Sequence, residues 1–114
     1  MVKTGKNIQV AIADDHSLLR NELDKLINGC EGYNVVMEAD NGKDLCNKLV
    51  QNVLPDIVLL DVNMPEMDGF ETTQWLHKKY PQIKVLALSM LSDERTIIKI
   101  FRLGAKGYLL KNTD

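Results

Sequence analysis

Residues 57–69 read IVLLDVNMPEMDG, and this stretch decides the fold. Residues 57–60 are apolar without interruption, which is typical of a strand buried on both faces of a parallel sheet. The strand runs into Asp61, and Pro65 and Gly69 predict a loop directly after it. Open α/β sheets bind ligands at the carboxyl ends of their strands, so Asp61 is the first candidate site residue.

Four more apolar runs alternate with helical patterns along the chain. They predict strands over residues 8–13, 33–39, 84–89 and 107–111. Helices are predicted over 16–28, 45–53, 70–80 and 93–103, the second ending before Pro55 and the last capped by Ser92 or Asp93. This alternation predicts an α/β fold with a parallel sheet and right-handed crossovers.

Length and composition narrow the class of protein. The chain has 114 residues, 45% of them hydrophobic, with 14 Lys and Arg against 16 Asp and Glu. This favours one folded domain, and the absence of a Lys/Arg cluster argues against nucleic-acid binding by this segment alone. No apolar run is long enough to span a membrane, and residues 1–9 do not form a secretory signal. Cys30 and Cys46 lack metal or redox spacing, which is typical of free thiols in the cytoplasm.

Polar residues follow four of the predicted strands. Asp14 and Asp15 end the first, Asp61 the third, Ser89 the fourth and Lys111 the fifth. Parallel strands bring these ends to one edge of the sheet.

Carboxylates that meet at such an edge repel each other, and a divalent cation with oxygen ligands, Mg²⁺ or Mn²⁺, relieves the repulsion. Asp61 is then a candidate nucleophile that forms an aspartyl phosphate. Lys111 offers a positive charge and Ser89 a hydroxyl donor to the transferred group.

These motifs resemble the receiver domain of a bacterial two-component response regulator. The resemblance rests on Asp14-Asp15-His16, on residues 61–69, on Ser89 and on residues 107–111 (GYLLK). Residues 13–16 and 104–111 resemble the subset that carries a C-terminal helix-turn-helix DNA-binding domain. The resemblance implies a flavodoxin-like, doubly wound five-stranded parallel sheet of order 2-1-3-4-5. It also implies one receiver domain over residues 1–114.

The resemblance also implies roles for the acidic residues. Asp61 accepts a phosphoryl group from the phosphohistidine of a sensor histidine kinase. Asp15, Asp61 and the backbone carbonyl of Asn63 bind Mg²⁺, and Asp14 helps to hold the ion, largely through water.

The remaining implied roles concern switching and partners. Ser89 and Lys111 contact the phosphoryl oxygens, and Ser89 and Tyr108 form a switch pair. The domain is then no conventional enzyme, since it catalyses only its own Mg²⁺-dependent phosphoryl transfer and dephosphorylation. It is expected in the cytoplasm as a homodimer, with no membrane partner, and it reaches DNA only through an effector domain outside this chain.

Three features depart from the family pattern. Met90 stands where a small residue is usual, and we expect it to narrow access to the phosphoryl group. Asn112 replaces a common proline. The fifth helix that usually follows the last strand is absent, so we expect an exposed apolar patch on one face of the sheet. Either the chain is a fragment of a longer regulator, or a partner chain covers the patch.

Other interpretations stay open at this point. Asp14 and Asp15 could simply cap a helix. A haloacid-dehalogenase-type phosphohydrolase is disfavoured, because Asn63 stands where the general acid would be. A receiver-like module that works without phosphate is a further alternative. His16 is expected to have a first-turn or solvent role. The apolar residues of the last helix are either core or a partner surface: Ile97, Ile98, Ile100 and Phe101.

Overall fold

A computed structural model describes residues 7–90 and 93–111. The strands are β1 (Ile8–Ala13), β2 (Tyr33–Ala39), β3 (Ile57–Asp61), β4 (Lys84–Ser89) and β5 (Gly107–Leu110). The helices are α1 (Ser17–Asn28), α2 (Gly42–Leu49), α3 (Gly69–Lys79) and α4 (Glu94–Arg102). All strand pairs are parallel, in the order β2-β1-β3-β4-β5, which confirms the predicted flavodoxin-like fold.

Side-chain caps explain where the helices begin. The Asp93 side chain accepts the backbone N–H of Thr96 at 3.1 Å, which confirms Asp93 as the cap of α4. The alternative cap, Ser92, lies outside the described residues, as does Asn112. Asp68 and Glu71 form a capping box at α3. Each cap satisfies a backbone N–H that has no partner within its helix.

The predicted end of the second helix is wrong. The spacing of apolar residues extended it to Val53, but α2 ends at Leu49 and Val53 is 77% exposed. The side-chain amide of Asn52 donates to the carbonyl oxygen of Lys48 at 2.7 Å. This bond and the backbone N–H of Gln51 at 3.2 Å satisfy that carbonyl, one of the last in the helix, and Val53 lies beyond the helix and away from the core.

The strands divide their side chains between the two faces of the sheet. Ala11, Val58 and Ala87 face a layer formed by α2, α3 and α4, whose Leu45 and Leu76 are fully buried. The alternate strand residues face α1, where they pack with Leu23 and Ile27: Val10, Ile12, Leu59 and Leu88. Burial on both faces is why the strands read as continuous apolar runs in the sequence.

The face that packs against α1 is only partly covered by the described residues. It carries a groove of about 250 Å³ whose lining includes Leu26, Ile57 and Leu86. Leu26 is 67% exposed at its rim. The apolar patch expected on one face of the sheet is therefore present within residues 7–90 and 93–111, while its cover by a further helix stays a prediction.

None of the helices within the described part of the chain has the length and apolar character needed to cross a bilayer.

Candidate functional site

The predicted acidic residues do meet at the carboxyl edge of the sheet. Asp14 follows β1 and Asp61 ends β3, and both side chains are almost fully buried. The Lys111 ammonium, just after β5, lies 2.9 Å from Oδ2 of Asp14 and 2.9 Å from Oδ2 of Asp61. One buried cation is thus shared by two buried carboxylates, although the sequence separates the three residues widely.

The positive charge of Lys111 does not balance the negative charges of Asp14 and Asp61. Burial raises the pKa of Asp61 from 3.8 to about 6, and the charge of Asp14 adds to the shift while Lys111 opposes it. Burial alone would lower the pKa of Lys111, but its contacts with Asp14 and Asp61 outweigh that effect and raise the pKa. A single ammonium therefore does not fully compensate the two carboxylates.

The site fits a divalent cation. Ligand atoms of Asp14, Asp15, His16 and Asp61 all lie within 4.8 Å of one another. Apart from the ion pairs with Lys111, Oδ2 of Asp14 and Oδ2 of Asp61 have no hydrogen-bond donor within residues 7–90 and 93–111. The Asp15 side chain is 36% exposed, so the site has a side open to solvent. Clustered oxygen ligands with excess negative charge suit a hard divalent ion.

Asn63 borders the site through its main chain. Its backbone N–H donates to Oδ1 of Asp61 at 3.2 Å, which orients the carboxylate, and the residue itself is exposed. The role predicted for its carbonyl as a metal ligand stays a prediction.

The loop after β3 is held close to Asp61 by Gly69, the first residue of α3. Gly69 donates its backbone N–H to the carbonyl oxygen of Val62 at 2.8 Å. A Cβ at Gly69 would lie 2.5 Å from Cα of Val62 and 2.6 Å from the carbonyl oxygen of Asp61. Glycine is therefore required where the start of α3 approaches the main chain of Asp61 and Val62 this closely.

Ser89 lies on β4, beside β3, and Tyr108 lies on β5, the next strand of the sheet. Ser89 is fully buried at the end of β4, and its carbonyl oxygen accepts the backbone N–H of Lys111 at 2.8 Å. Tyr108 of β5 lies opposite Ala87 of β4. Its side chain is partly buried and packs against the core layer of α2, α3 and α4. Their predicted role as a switch pair stays a prediction.

The structure brings two residues to the site that sequence reasoning did not place there. His16, expected in a first-turn or solvent role, occupies the N-cap position of α1 at the site edge, and its Nδ1 lies 3.0 Å from Oδ1 of Asp14. Arg20, one turn later, donates to the carbonyl oxygens of Asp14 at 2.6 Å and Ala39 at 3.3 Å. It also forms an ion pair with Asp40 at 2.9 Å. Arg20 therefore ties α1 to the carboxyl ends of β1 and β2.

The apolar residues of α4 were expected to be either core or a partner surface, and the structure shows some of them buried and others exposed. Ile100 is fully buried, whereas Ile98 and Phe101 are 43% and 44% exposed. One side of the helix is core, and the other leaves large apolar side chains in contact with solvent.

Comparisons with known proteins agree with this geometry. A family model described as the response regulator receiver domain matches residues 10–114. The transcriptional regulatory protein DegU of Brevibacillus brevis is 38% identical over 107 residues, which cover 94% of this chain and 45% of that protein. The response regulator GacA of Pseudomonas aeruginosa is 38% identical over 104 residues, covering 91% and 48%. The chain thus spans about half the length of these curated relatives.

A solved structure gives the same result for the fold. The signal receiver domain of the putative response regulator NarL from Mycobacterium tuberculosis superposes with a TM-score of 0.86 at 31% identity. The match covers 96% of this chain and 88% of that one. With the sheet order, the acidic edge and the matched family model in agreement, this chain belongs to the family of response regulator receiver domains.

Proposed function

We propose that this receiver domain accepts a phosphoryl group on Asp61 from the phosphohistidine of a sensor histidine kinase and then changes conformation to control an output. One observation carries the proposal: the buried carboxylates of Asp14 and Asp61 share the single Lys111 ammonium at 2.9 Å each. Such a group combines a nucleophile, a cation for the transferred oxygens and unneutralised charge for a metal ion.

In the transfer step, a carboxylate oxygen of Asp61 attacks phosphorus, the bond from phosphorus to the donor histidine breaks, and the imidazole leaves with the electron pair. The backbone N–H of Asn63 holds Oδ1 of Asp61 during the attack. The Lys111 ammonium, already beside Oδ2, compensates the charge on the phosphoryl oxygens, and the Ser89 hydroxyl donates to one of them. The same groups serve the hydrolysis that later removes the phosphoryl group, so the domain acts only on itself.

The divalent ion in this proposal is Mg²⁺, with Mn²⁺ as an alternative. Asp15, Asp61 and the backbone carbonyl of Asn63 hold it, and Asp14 supports it largely through water. When bound, the ion neutralises the clustered carboxylates and the phosphoryl oxygens. Oδ2 of Asp14 and Oδ2 of Asp61 share the Lys111 ammonium as their one close partner within the described residues, and this incomplete compensation supports this ligand set.

The output follows from the position of the proposed switch pair. Ser89 moves toward the phosphoryl group, the Tyr108 ring turns inward, and the equilibrium between two arrangements of α4 and its flanking loops shifts. The exposed Ile98 and Phe101 give α4 an apolar surface that such a shift would move.

The partners of the longer regulator belong to the same proposal. It acts as a homodimer and controls transcription through a DNA-binding domain outside the described residues. The description of DegU as a transcriptional regulatory protein supports this output. The free cysteines Cys30 and Cys46 support a cytoplasmic site of action.

Incubation with a small phosphodonor and Mg²⁺, followed by intact mass spectrometry, tests the proposal. We expect a mass gain of one phosphoryl group in the wild type and none in Asp61→Asn. Asp56→Asn is the matched control, because Asp56 flanks the opposite end of β3 and carries the same charge. No gain in the wild type, or an equal gain in Asp61→Asn, would remove the basis of the proposal.

A further inference from the structure

We propose that His16 is a side-chain ligand of the divalent ion, and that its imidazole makes this site favour first-row transition-metal ions relative to Mg²⁺. The inference rests on the proposed function, because it assumes that the same acidic site binds a divalent ion. It adds a nitrogen donor to a ligand set that otherwise contains only oxygen.

The position of the imidazole is the first support. Nδ1 of His16 lies 3.0 Å from Oδ1 of Asp14, 3.5 Å from Oδ1 of Asp15 and 3.9 Å from Oδ2 of Asp61. The nitrogen therefore faces all three candidate carboxylate ligands at once.

The contact with Lys111 is the second support. An ammonium group has three hydrogen-bond donors, and here it meets Oδ2 of Asp14 and Oδ2 of Asp61 at 2.9 Å each and Nδ1 of His16 at 3.1 Å. One ring nitrogen cannot accept from the ammonium and donate to Asp14 at the same time. Nδ1 of His16 lies 3.0 Å from Oδ1 of Asp14 and 3.1 Å from the ammonium, and in the tautomer with its lone pair on Nδ1 it accepts from the ammonium. These three atoms already surround one cation.

The local backbone keeps the imidazole available for this role. His16 is the N-cap residue of α1, yet its side chain makes no capping hydrogen bond. Its carbonyl oxygen accepts the N–H of Arg20 at 2.9 Å, and the Arg20 guanidinium holds the carbonyl of Asp14 at 2.6 Å. The main chain is thus fixed on both sides of His16. The side chain itself is 62% exposed and can reach an ion that enters from solvent.

The chemistry of the donor set then determines the preference. Mg²⁺ binds carboxylates and waters and gains little from a nitrogen donor. Imidazole suits transition-metal ions, whose affinity for a given site rises from Mn²⁺ through Co²⁺ to Ni²⁺. The three carboxylates can hold either class of ion, whereas Nδ1 of His16 adds affinity mainly for the second.

Isothermal titration calorimetry of the 114-residue chain with Ni²⁺ and with Mg²⁺ tests the inference. In His16→Ala and His16→Asn we expect the ratio of Ni²⁺ to Mg²⁺ affinity to fall at least about tenfold. The asparagine variant restores a good N-cap, so a matching loss in both variants excludes a helix-capping effect. His77→Ala is the control, because His77 is the other histidine of the chain, on the exposed surface of α3.

Nitrogen NMR of the imidazole with Zn²⁺ gives a second measurement. Coordination should shift the Nδ1 resonance of His16 and leave that of His77 unchanged. An unchanged Ni²⁺ to Mg²⁺ ratio in both His16 variants, or equal shifts at both histidines, would overturn the inference. In that case, Mg²⁺-dependent phosphorylation of Asp61 in the wild type would still support the proposed function. If Asp61→Asn leaves both affinities unchanged, the proposed metal site itself fails.

Discussion

Replacing Asp61 by asparagine should stabilise the metal-free protein, although it removes the proposed phosphoacceptor. In the fold, burial and the charge of Asp14 raise the pKa of Asp61 from 3.8 to about 6 despite the opposing Lys111. At about 1.36 kcal/mol per pKa unit, ionising this carboxyl costs about 3 kcal/mol more in the fold than in the unfolded chain. Asparagine has nearly the same size and no charge, so the variant avoids this cost.

The effect of Asp61 has a defined pH window. Because its pKa is raised in the fold, its contribution to the free energy of unfolding is fully present below pH 3.8 and is lost as the pH rises through about 6. Near pH ~4 the wild type and Asp61→Asn should therefore be almost equally stable. Near pH ~8 the variant should be more stable by about 1–3 kcal/mol, the lower figure allowing for relaxation and water entry around the buried charge.

Urea unfolding in the presence of a chelator measures this difference. Trp75 is the single tryptophan and packs against the core, so its fluorescence reports on unfolding. Glu22→Gln, on the exposed surface of α1, controls for the loss of one charge. Saturating Mg²⁺ should reverse the ranking, because the ion stabilises the protein that binds it more tightly. A variant no more stable than the wild type near pH ~8, or a gap of equal size near pH ~4, would contradict burial of the Asp61 charge as the cause.

Three further substitutions test the surroundings of the site. Arg20→Gln should lower the free energy of unfolding, measured with urea, by about 2 kcal/mol, because it removes charged hydrogen bonds to two carbonyls. Arg20→Lys should lose as much stability, since lysine lacks the planar guanidinium that donates to several acceptors at once. Gly69→Ala should cost about 1–3 kcal/mol in thermal unfolding, because its Cβ would contact the backbone of Val62 and Asp61. Met90→Ala should speed the loss of the phosphoryl group severalfold, followed by mass spectrometry over time. An unchanged rate would show that Met90, which is 54% exposed, does not restrict access to the phosphoryl group.

The strands were predictable from the sequence because each is buried on both faces. Residues 8–13, 33–39 and 84–89 form strands with the predicted bounds, and the others differ by one residue at an end. The end of α2 was not predictable in the same way. Val53 continues the apolar spacing of Leu45 and Leu49, but α2 already ends at Leu49, and the Asn52 side chain donates to the carbonyl of Lys48 in its last turn. The spacing of apolar residues in the sequence gives no sign of where the helix stops.

Part of the candidate site could likewise be predicted from the sequence, and part of it could not. The meeting of Asp14, Asp61 and Lys111 follows from parallel topology, which brings strand ends together whatever their distance in sequence. The approach of His16 and Arg20 depends instead on side-chain conformation around the first turn of α1. One signal was present, since a histidine and an arginine four residues apart follow directly on the acidic pair. Residues that far apart share one face of a helix, and that face lies over the site edge.

The charge of the site explains why the same residues can destabilise the fold and yet suit its proposed function. Three carboxylates, Asp14, Asp15 and Asp61, stand against the single Lys111 ammonium, so the ionised site carries an excess of two negative charges. That excess equals the charge of one divalent cation. A second ammonium at this edge would stabilise the metal-free fold but would remove the attraction for the ion. A divalent ion bound at this edge would therefore relieve the unfavourable burial of the ionised Asp61, as the proposed function requires.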